Sequence, residues 1–163
     1  MHFVRGLIAI VAVFTFPLQA FATDQTKLES NNLRERGRYL AVIAGCNDCH
    51  TPGYAESGGK VPESQWLTGT PLGWSGPWGT TYAVNLRLYF QHMTADEWVN
   101  AARAMQARPP MPSYAFRIMS EVDLRSLYSF VVSLGPAGNL APSYAPPGQN
   151  VSTPVVRFPA PAR

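Results

Sequence analysis

The sequence predicts an all-α domain of about three main helices, with a long ordered loop and an extended Pro-rich C-terminal segment. Its length of 163 residues suggests a single domain. Apolar side chains recur at helical spacing in three segments, and the last two segments begin with capping patterns. Between the first and second segments, residues 51–87 show little periodicity of either kind. We therefore expect a core domain at residues 23–135 and a separate segment at residues 136–163.

Residues 1–22 have the pattern of a cleaved secretory signal peptide. Arg5 supplies a positive charge, residues 6–16 form an apolar run, and residues 20–22 read Ala-Phe-Ala, a small-x-small cleavage site. A membrane-spanning helix needs roughly 20 apolar residues, so this run is too short for a stable membrane span. We therefore expect cleavage after Ala22 and export to the periplasm, an oxidising compartment.

The first predicted helix covers residues 28–44, where leucines and alanines form an apolar face and arginines a charged one. Gly37 lies in the middle of this helix, where glycine costs about 1 kcal/mol relative to alanine. A glycine at such a position indicates that another element approaches closely. The last helix is the expected partner.

The only two cysteines of the chain, Cys46 and Cys49, are followed directly by His50. This C-x-x-C-H spacing is typical of c-type haem attachment. Each thiol can add to a vinyl group of the porphyrin, and the histidine is then held beneath the iron as the proximal ligand. The sequence therefore predicts one covalently attached haem c on these three residues.

Other chemistries use the same residue types. A C-x-x-C pair can be a thioredoxin-like redox site, although that interpretation fits a cytosolic protein with a βαβ pattern. A structural zinc site needs about four ligands, and beyond this motif the mature chain offers only His92 as a further Cys or His. A disulfide across two residues would close a very small, strained loop. The adjacent histidine and the exported context favour haem.

The long loop, residues 51–87, contains seven glycines, four prolines and three of the four tryptophans. Loops longer than about 15 residues are usually either functional or disordered. Trp66, Trp74 and Trp78 indicate order, because such side chains bring a large apolar area to bury. We expect this loop to wrap the macrocycle edge, with its aromatic rings mainly in packing. Their polar hydrogens and the Asn85 amide are secondary candidates for contacts with the haem propionates.

The second and third predicted helices begin at capping residues. Thr94 and Glu97 form a capping box that predicts a helix over residues 95–106, and the prolines that follow end it. Ser120 begins the last helix, and Gly135 followed by proline ends it.

Beyond Gly135, the chain carries seven of its 15 prolines. This composition predicts an extended, polyproline-like segment that lies on the surface or is mobile. Four apolar or aromatic residues are candidates to pin it to the domain: Tyr144, Val155, Val156 and Phe158.

A histidine on one side of the iron leaves a second axial position. Met111 is the candidate for it, because Pro110 and Pro112 can hold this irregular segment extended and direct the thioether toward the iron. Such a ligand raises the reduction potential relative to bis-histidine ligation and suits a carrier of single electrons. The alternative ligands are Met93, Met119 and His92.

The charge balance gives little indication of a nucleic-acid or membrane partner. The predicted leader holds one of the 13 Lys and Arg residues and none of the 10 Asp and Glu residues, so its removal lowers the formal charge from +3 to +2. No basic run is present. We expect redox proteins, and no nucleic acid, as partners.

These motifs together resemble the class I c-type cytochromes. In particular, the chain is similar to small monohaem periplasmic cytochromes and to the cytochrome domains associated with bacterial membrane-bound alcohol and sugar dehydrogenases. The matching segments are residues 39–41, 46–52, 79–86, 109–112 and 119–128.

The resemblance implies a compact all-α fold in which the first and last helices cross, so that Gly37 would meet Tyr128 or Phe130. It also implies His50 as proximal and Met111 as distal ligand. The implied function is the transfer of single electrons from a dehydrogenase to an acceptor such as an oxidase or another cytochrome. The mature chain has only two lysines, so an apolar or arginine-based docking surface is expected in place of a lysine ring.

Two other functions use the same motifs. One is an open-site haem protein, either peroxidase-like or gas-binding. The other is a cytochrome subunit held permanently in a dehydrogenase or oxidase complex.

Overall fold

The computed structural model describes residues 18–159, with side chains described from residue 26 onward. Most of the predicted leader therefore lies outside the described residues. The helices are α1 Leu18–Ile43, α2 Cys46–His50, α3 Leu86–Tyr89, α4 Ala95–Ala104, α5 Tyr114–Ile118 and α6 Glu121–Ser133, with 3₁₀ turns at Glu63–Gln65 and Phe90–His92. The three main predicted helices correspond to α1, α4 and α6.

The predicted starts of the second and third helices are confirmed by their capping geometry, whereas α1 begins at Leu18, before the predicted start at residue 28. The Thr94 side chain accepts a hydrogen bond from the backbone N–H of Glu97, whose carboxylate accepts from the N–H of Thr94. At the start of α6, the Ser120 hydroxyl accepts from the N–H of Asp123. Gly135 follows α6 with a φ of +68°, a conformation that ends helices and favours glycine.

Helices α1 and α6 cross at Gly37. A Cβ built on this glycine would lie 1.9 Å from the carbonyl oxygen of Ser126 and 2.7 Å from Cβ of Phe130. The expected contact with Phe130 is confirmed. The hydroxyl of Tyr128, the other expected partner, instead donates a hydrogen bond to the carbonyl of Met93 at 2.8 Å. Only glycine allows this crossing distance.

The core lies between these helices and the long loop. It is rich in aromatic rings, with Trp66, Phe90, Trp98, Phe116 and Phe130 all buried. The Trp98 ring contacts those of Phe90 and Phe116 at centroid distances of 4.7 and 5.5 Å. The expectation that the loop is ordered through its aromatic residues holds for Trp66, whose indole N–H donates to the carbonyl of Val61 at 2.8 Å.

The all-α prediction holds only in part, because the helix-rich chain also contains a small sheet. Strands β1 Gly73–Gly76, β2 Gly79–Tyr82 and β3 Val155–Arg157 lie in the order β2-β1-β3. The β1–β2 pair is antiparallel and the β1–β3 pair is parallel. These strands have three or four residues and the first two contain glycine, so they carry no readable alternation of apolar and polar positions.

The C-terminal segment is extended, as expected, and it is bound along the domain surface. All four predicted anchors contribute. Val155 and Val156 pair with β1, the Phe158 ring packs on Trp78 at 5.3 Å, and the Tyr144 hydroxyl donates to the Trp78 carbonyl at 2.8 Å. The segment therefore adds a strand to the hairpin, a long-range pairing that no local sequence pattern predicts.

Candidate functional site

The C-x-x-C-H residues form a single helical turn, α2, which begins after Gly45. That glycine has a φ of +71°, so the chain reverses sharply between α1 and α2. Cys46 and Cys49 are both half-buried free thiols, and His50 is 6% exposed. The turn thus presents two thiols and one buried imidazole from five consecutive residues.

The His50 ring is oriented by a backbone carbonyl. Its Nδ1 lies 2.7 Å from the oxygen of Val84, and because a carbonyl only accepts, Nδ1 carries the proton. Nε2 is then the unprotonated ring nitrogen, with a lone pair free for a metal. Burial lowers the pKa of His50, and the bond to Val84 opposes this only in part. A neutral, oriented imidazole is the form that ligates iron.

Long-range contacts fix the segment that carries Val84. The Asn85 side chain accepts from the N–H of Leu88 and donates to the carbonyls of Ala137 and Asn139, at 2.7 and 3.1 Å. Asn85 is therefore used in holding the chain, and the expectation that it faces a propionate is not supported.

Arg87 extends the same anchoring. This side chain is 5% exposed and donates to three carbonyls, those of Ser64, Leu134 and Gly135. Burial lowers its pKa. Two of the carbonyls lie at the C-terminal end of α6, where a cation is favourable. The acceptor of the His50 bond is thus tied to the last helix.

A second network connects α2 with the loop. The Thr51 hydroxyl accepts from the N–H of Leu67 and donates to Oδ1 of Asn47, both at 2.7 Å. The carbonyl of Leu67 in turn accepts from the N–H of Leu86, two residues after Val84, at 3.0 Å. Leu67 is fully buried with a φ of +60°, an unusual conformation for a leucine. The motif and the carbonyl that orients His50 are therefore linked through one buried residue.

The electrostatics of the thiols do not resemble those of a redox pair. Burial, with the nearby Asp48 and Cys49 as smaller causes, raises the pKa of Cys46 to about 11. Burial and Asp48 likewise raise the pKa of Cys49. Reactive C-x-x-C sites instead have lowered thiol pKa values, since the thiolate is the nucleophile. The thioredoxin-like interpretation is therefore disfavoured.

Met111 lies in the irregular segment between α4 and α5, as expected. It is half-buried against the same hydrophobic cluster that Cys46 contacts. Its N–H donates to the carbonyl of Arg108 at 3.2 Å, and its carbonyl accepts from the N–H of Ser113 at 2.9 Å. The cluster is also contacted by Met93, Met105 and Met119.

The other candidate distal ligands differ from Met111 in backbone setting. His92 is exposed in a 3₁₀ turn. Met93 and Met119 each follow directly on a helical turn. Met111 is the one flanked on both sides by non-helical chain held by its own hydrogen bonds.

These residues fit a covalently attached haem. Helix α2 supplies two free thiols and a buried imidazole whose Nε2 is free, and Met111, between α4 and α5, supplies a half-buried thioether on the hydrophobic cluster that Cys46 also contacts. The amide nitrogen of Asn47 is also buried and has no hydrogen-bond partner among the described residues. By contrast, within residues that the structure describes, no three His, Cys, Asp or Glu side chains converge as a metal site. Among these described residues, no ligand set for a structural zinc ion is therefore found.

Sequence reasoning missed the residues that support the site. The Val84 carbonyl is a backbone atom, and no residue type indicates which carbonyl will accept from His50. The motif treats Asn47 only as a spacer, yet this residue is fully buried. Thr51 directly follows the histidine, and its small hydroxyl carries no signal of a role in bridging to the loop.

Comparison with known proteins supports a cytochrome-like relationship. Over 108 residues the chain is 30% identical to the cytochrome subunit of fructose dehydrogenase from Gluconobacter japonicus, covering 60% of this chain and 20% of that protein. Over 126 residues it is 30% identical to a subunit of nicotinate dehydrogenase from Pseudomonas putida, covering 67% of this chain and 9% of that protein.

The chain thus spans at most a fifth of these curated relatives. No protein-family model matches it, and no solved structure matches it. Among the described helices, none has both the length and the apolar character needed to cross a bilayer.

Proposed function

We propose that this chain is a class I monohaem c-type cytochrome that carries single electrons from a dehydrogenase to an acceptor such as an oxidase or another cytochrome. The observation that carries the proposal is the bond between His50 and Val84, on the same helical turn as two free thiols. An imidazole buried and oriented in this way, with Nε2 left free, suits an axial ligand.

Each residue of the site has a distinct role in this proposal. Cys46 and Cys49 would hold the porphyrin through two thioethers, and the Val84 carbonyl orients the His50 ring that would ligate the iron. Met111 would supply a second ligand to the haem iron, which would leave no open place for a substrate. When bound, haem supplies an iron that alternates between two oxidation states with little change in its surroundings.

We place this function in the periplasm, after cleavage behind Ala22. A C-x-x-C pair in this oxidising compartment would form a disulfide unless it were consumed. Attachment to haem consumes both thiols, so the pair is compatible with this location. Only two lysines lie beyond the leader, whereas ten arginines do. An arginine-based or apolar contact with the redox partner follows from this composition.

A second candidate is a cytochrome unit that works inside a dehydrogenase complex. It is favoured by the similarity to a subunit of fructose dehydrogenase, of which the chain covers only 20%. In that case the electron would pass within an assembly. Co-purification of a dehydrogenase at constant stoichiometry from the native cell distinguishes this candidate from a free carrier.

The proposed function is tested on the full chain, expressed and exported in a host that attaches c-type haem. The mature mass should equal residues 23–163 plus one haem, and the oxidised protein should show the far-red charge-transfer band of methionine-to-iron ligation. The reduced protein should bind carbon monoxide slowly at neutral pH. Prompt carbon monoxide binding without that band would instead show an open-site haem protein, and a mass without haem would refute the proposal.

A further inference from the structure

We infer that Tyr144, in the C-terminal segment, and Arg108 are positioning residues for Met111, and that their contact holds the distal thioether in place. The inference rests on the proposed function, because it assigns Met111 to the iron. The composition of the Pro-rich C-terminal segment does not by itself indicate a function for it.

The side chains of Arg108 and Tyr144 are in direct contact. The guanidinium carbon of Arg108 lies 3.8 Å from the centroid of the Tyr144 ring, a close cation–π geometry. Arg108 is three residues before Met111, and its carbonyl accepts from the N–H of Met111 at 3.2 Å. The residue that touches Tyr144 therefore also bonds directly to the backbone of the candidate ligand.

Hydrogen bonds hold Tyr144 and its neighbour in place. Its hydroxyl donates to the carbonyl of Trp78 at 2.8 Å. The next residue, Ala145, is buried and forms a pair of backbone bonds with Thr80 at 2.8 and 3.0 Å. A Cβ on Gly79 would lie 2.3 Å from the Ala145 oxygen, so the segment packs as closely as a glycine permits. The Tyr144 ring that contacts Arg108 is therefore held through its hydroxyl and through the backbone of the next residue.

A second contact connects the Met111 segment to the sheet. The hydroxyl of Thr81, in β2, donates to the carbonyl of Pro109 at 2.7 Å. On the far side of Met111, the hydroxyl of Ser113 accepts from the N–H of Ala107 at 3.3 Å and closes the loop. The segment that carries the thioether is thus anchored to β2 and to the chain beyond α6. Because the Thr81 anchor remains, loss of the Tyr144 contact should loosen the ligand without unfolding the domain.

The test uses the oxidised, haem-loaded protein and cyanide, which binds ferric iron only after the thioether leaves. We expect Tyr144→Leu and Arg108→Gln to raise the cyanide binding rate about 2- to 5-fold, the range that an exposed cation–π contact supplies. The far-red band should weaken and the reduction potential fall in the same variants. The double variant should match either single one, since both remove the same contact.

Two controls separate positioning from general damage. Tyr144→Phe keeps the ring and loses only its bond to the Trp78 carbonyl, so its cyanide binding rate should lie between those of the wild type and Tyr144→Leu. Leu140→Ser changes an 82% exposed residue of the same segment and should have no effect.

Unchanged rates in both single variants, additive effects in the double variant, or an equal effect of Leu140→Ser would each overturn the inference. A wild-type protein that lacks the far-red band would refute the Met111 assignment itself, and this failure is recognised before any variant is made.

Discussion

The carbonyl oxygen of Val84 lies 2.7 Å from Nδ1 of His50, 34 residues away in the sequence. This single bond sets the tautomer of the imidazole and leaves Nε2 as the nitrogen with a free lone pair. The carbonyl is itself held by contacts of Asn85 and Arg87 with the end of α6 and the segment beyond it. The candidate proximal ligand is therefore supported by chain that lies far beyond it in the sequence.

Replacement of both Cys46 and Cys49 by serine should abolish covalent haem. Each thioether needs a sulfur, and a serine hydroxyl does not add to the vinyl group under the same conditions. Mass spectrometry of the denatured protein measures the attached haem directly. Each single variant should retain one thioether and a shifted reduced spectrum. A double variant that keeps haem after denaturation would contradict the assignment.

Replacement of Met111 by alanine should leave the haem attached and remove the far-red band. The reduction potential should fall, because thioether ligation favours reduced iron. Visible spectra and a redox titration measure both effects. The matched control is Met119→Ala, which removes another half-buried methionine from the same cluster. Loss of the band in the control and not in Met111→Ala would move the distal ligand to Met119.

Replacement of Gly37 by alanine should destabilise the fold strongly. The new methyl group would lie 1.9 Å from the oxygen of Ser126, so α1 and α6 would have to separate. Overpacking of this kind costs about 1–3 kcal/mol, and we expect the upper end, since the clash is with backbone. Denaturant titration measures the change. Asn32→Ala, at an exposed position of the same helix, should be neutral or slightly stabilising.

Stability should fall in acid through Asp123. The Ser120 hydroxyl, and then the guanidinium of Arg36, hold the pKa of this carboxyl below its ordinary value of 3.8. The unfolded chain therefore takes up the proton at higher pH than the folded one. The stabilisation is complete above the ordinary value and is lost as pH falls through the lower, folded pKa.

Asp123→Asn tests this by removing the charge. At neutral pH the variant should lose about 0.2–1 kcal/mol, the range of surface ion pairs, and its stability should depend less on pH in acid. Thermal unfolding from neutral pH down into the acid range measures the difference. The control is Glu35→Gln. The Glu35 carboxylate lies 3.8 Å from Arg34, a longer ion pair than that of Asp123 with Arg36. Equal acid sensitivity of Asp123→Asn and the wild type would show that other carboxylates dominate.

Features that depend on neighbouring residues can be predicted from the amino-acid sequence. The cysteine spacing with His50 predicts covalent haem attachment. The caps at Thr94 and Ser120 locate two helices, because capping is local. Gly37 indicates a close helix crossing, since an unfavourable residue inside a helix needs a spatial reason. The Pro-flanked setting of Met111 is also readable in one stretch of chain.

Contacts between groups that are distant in the sequence are visible only in the folded chain. The Val84 carbonyl, the Asn47–Thr51–Leu67 connection and the pairing of β3 with β1 join residues whose identities carry no sign of their partners. Backbone acceptors look alike in every residue, and strands of three residues are too short to show a pattern. Their partners are set by the path of the whole chain. For the same reason, the sequence did not predict that the Pro-rich segment pairs with β1.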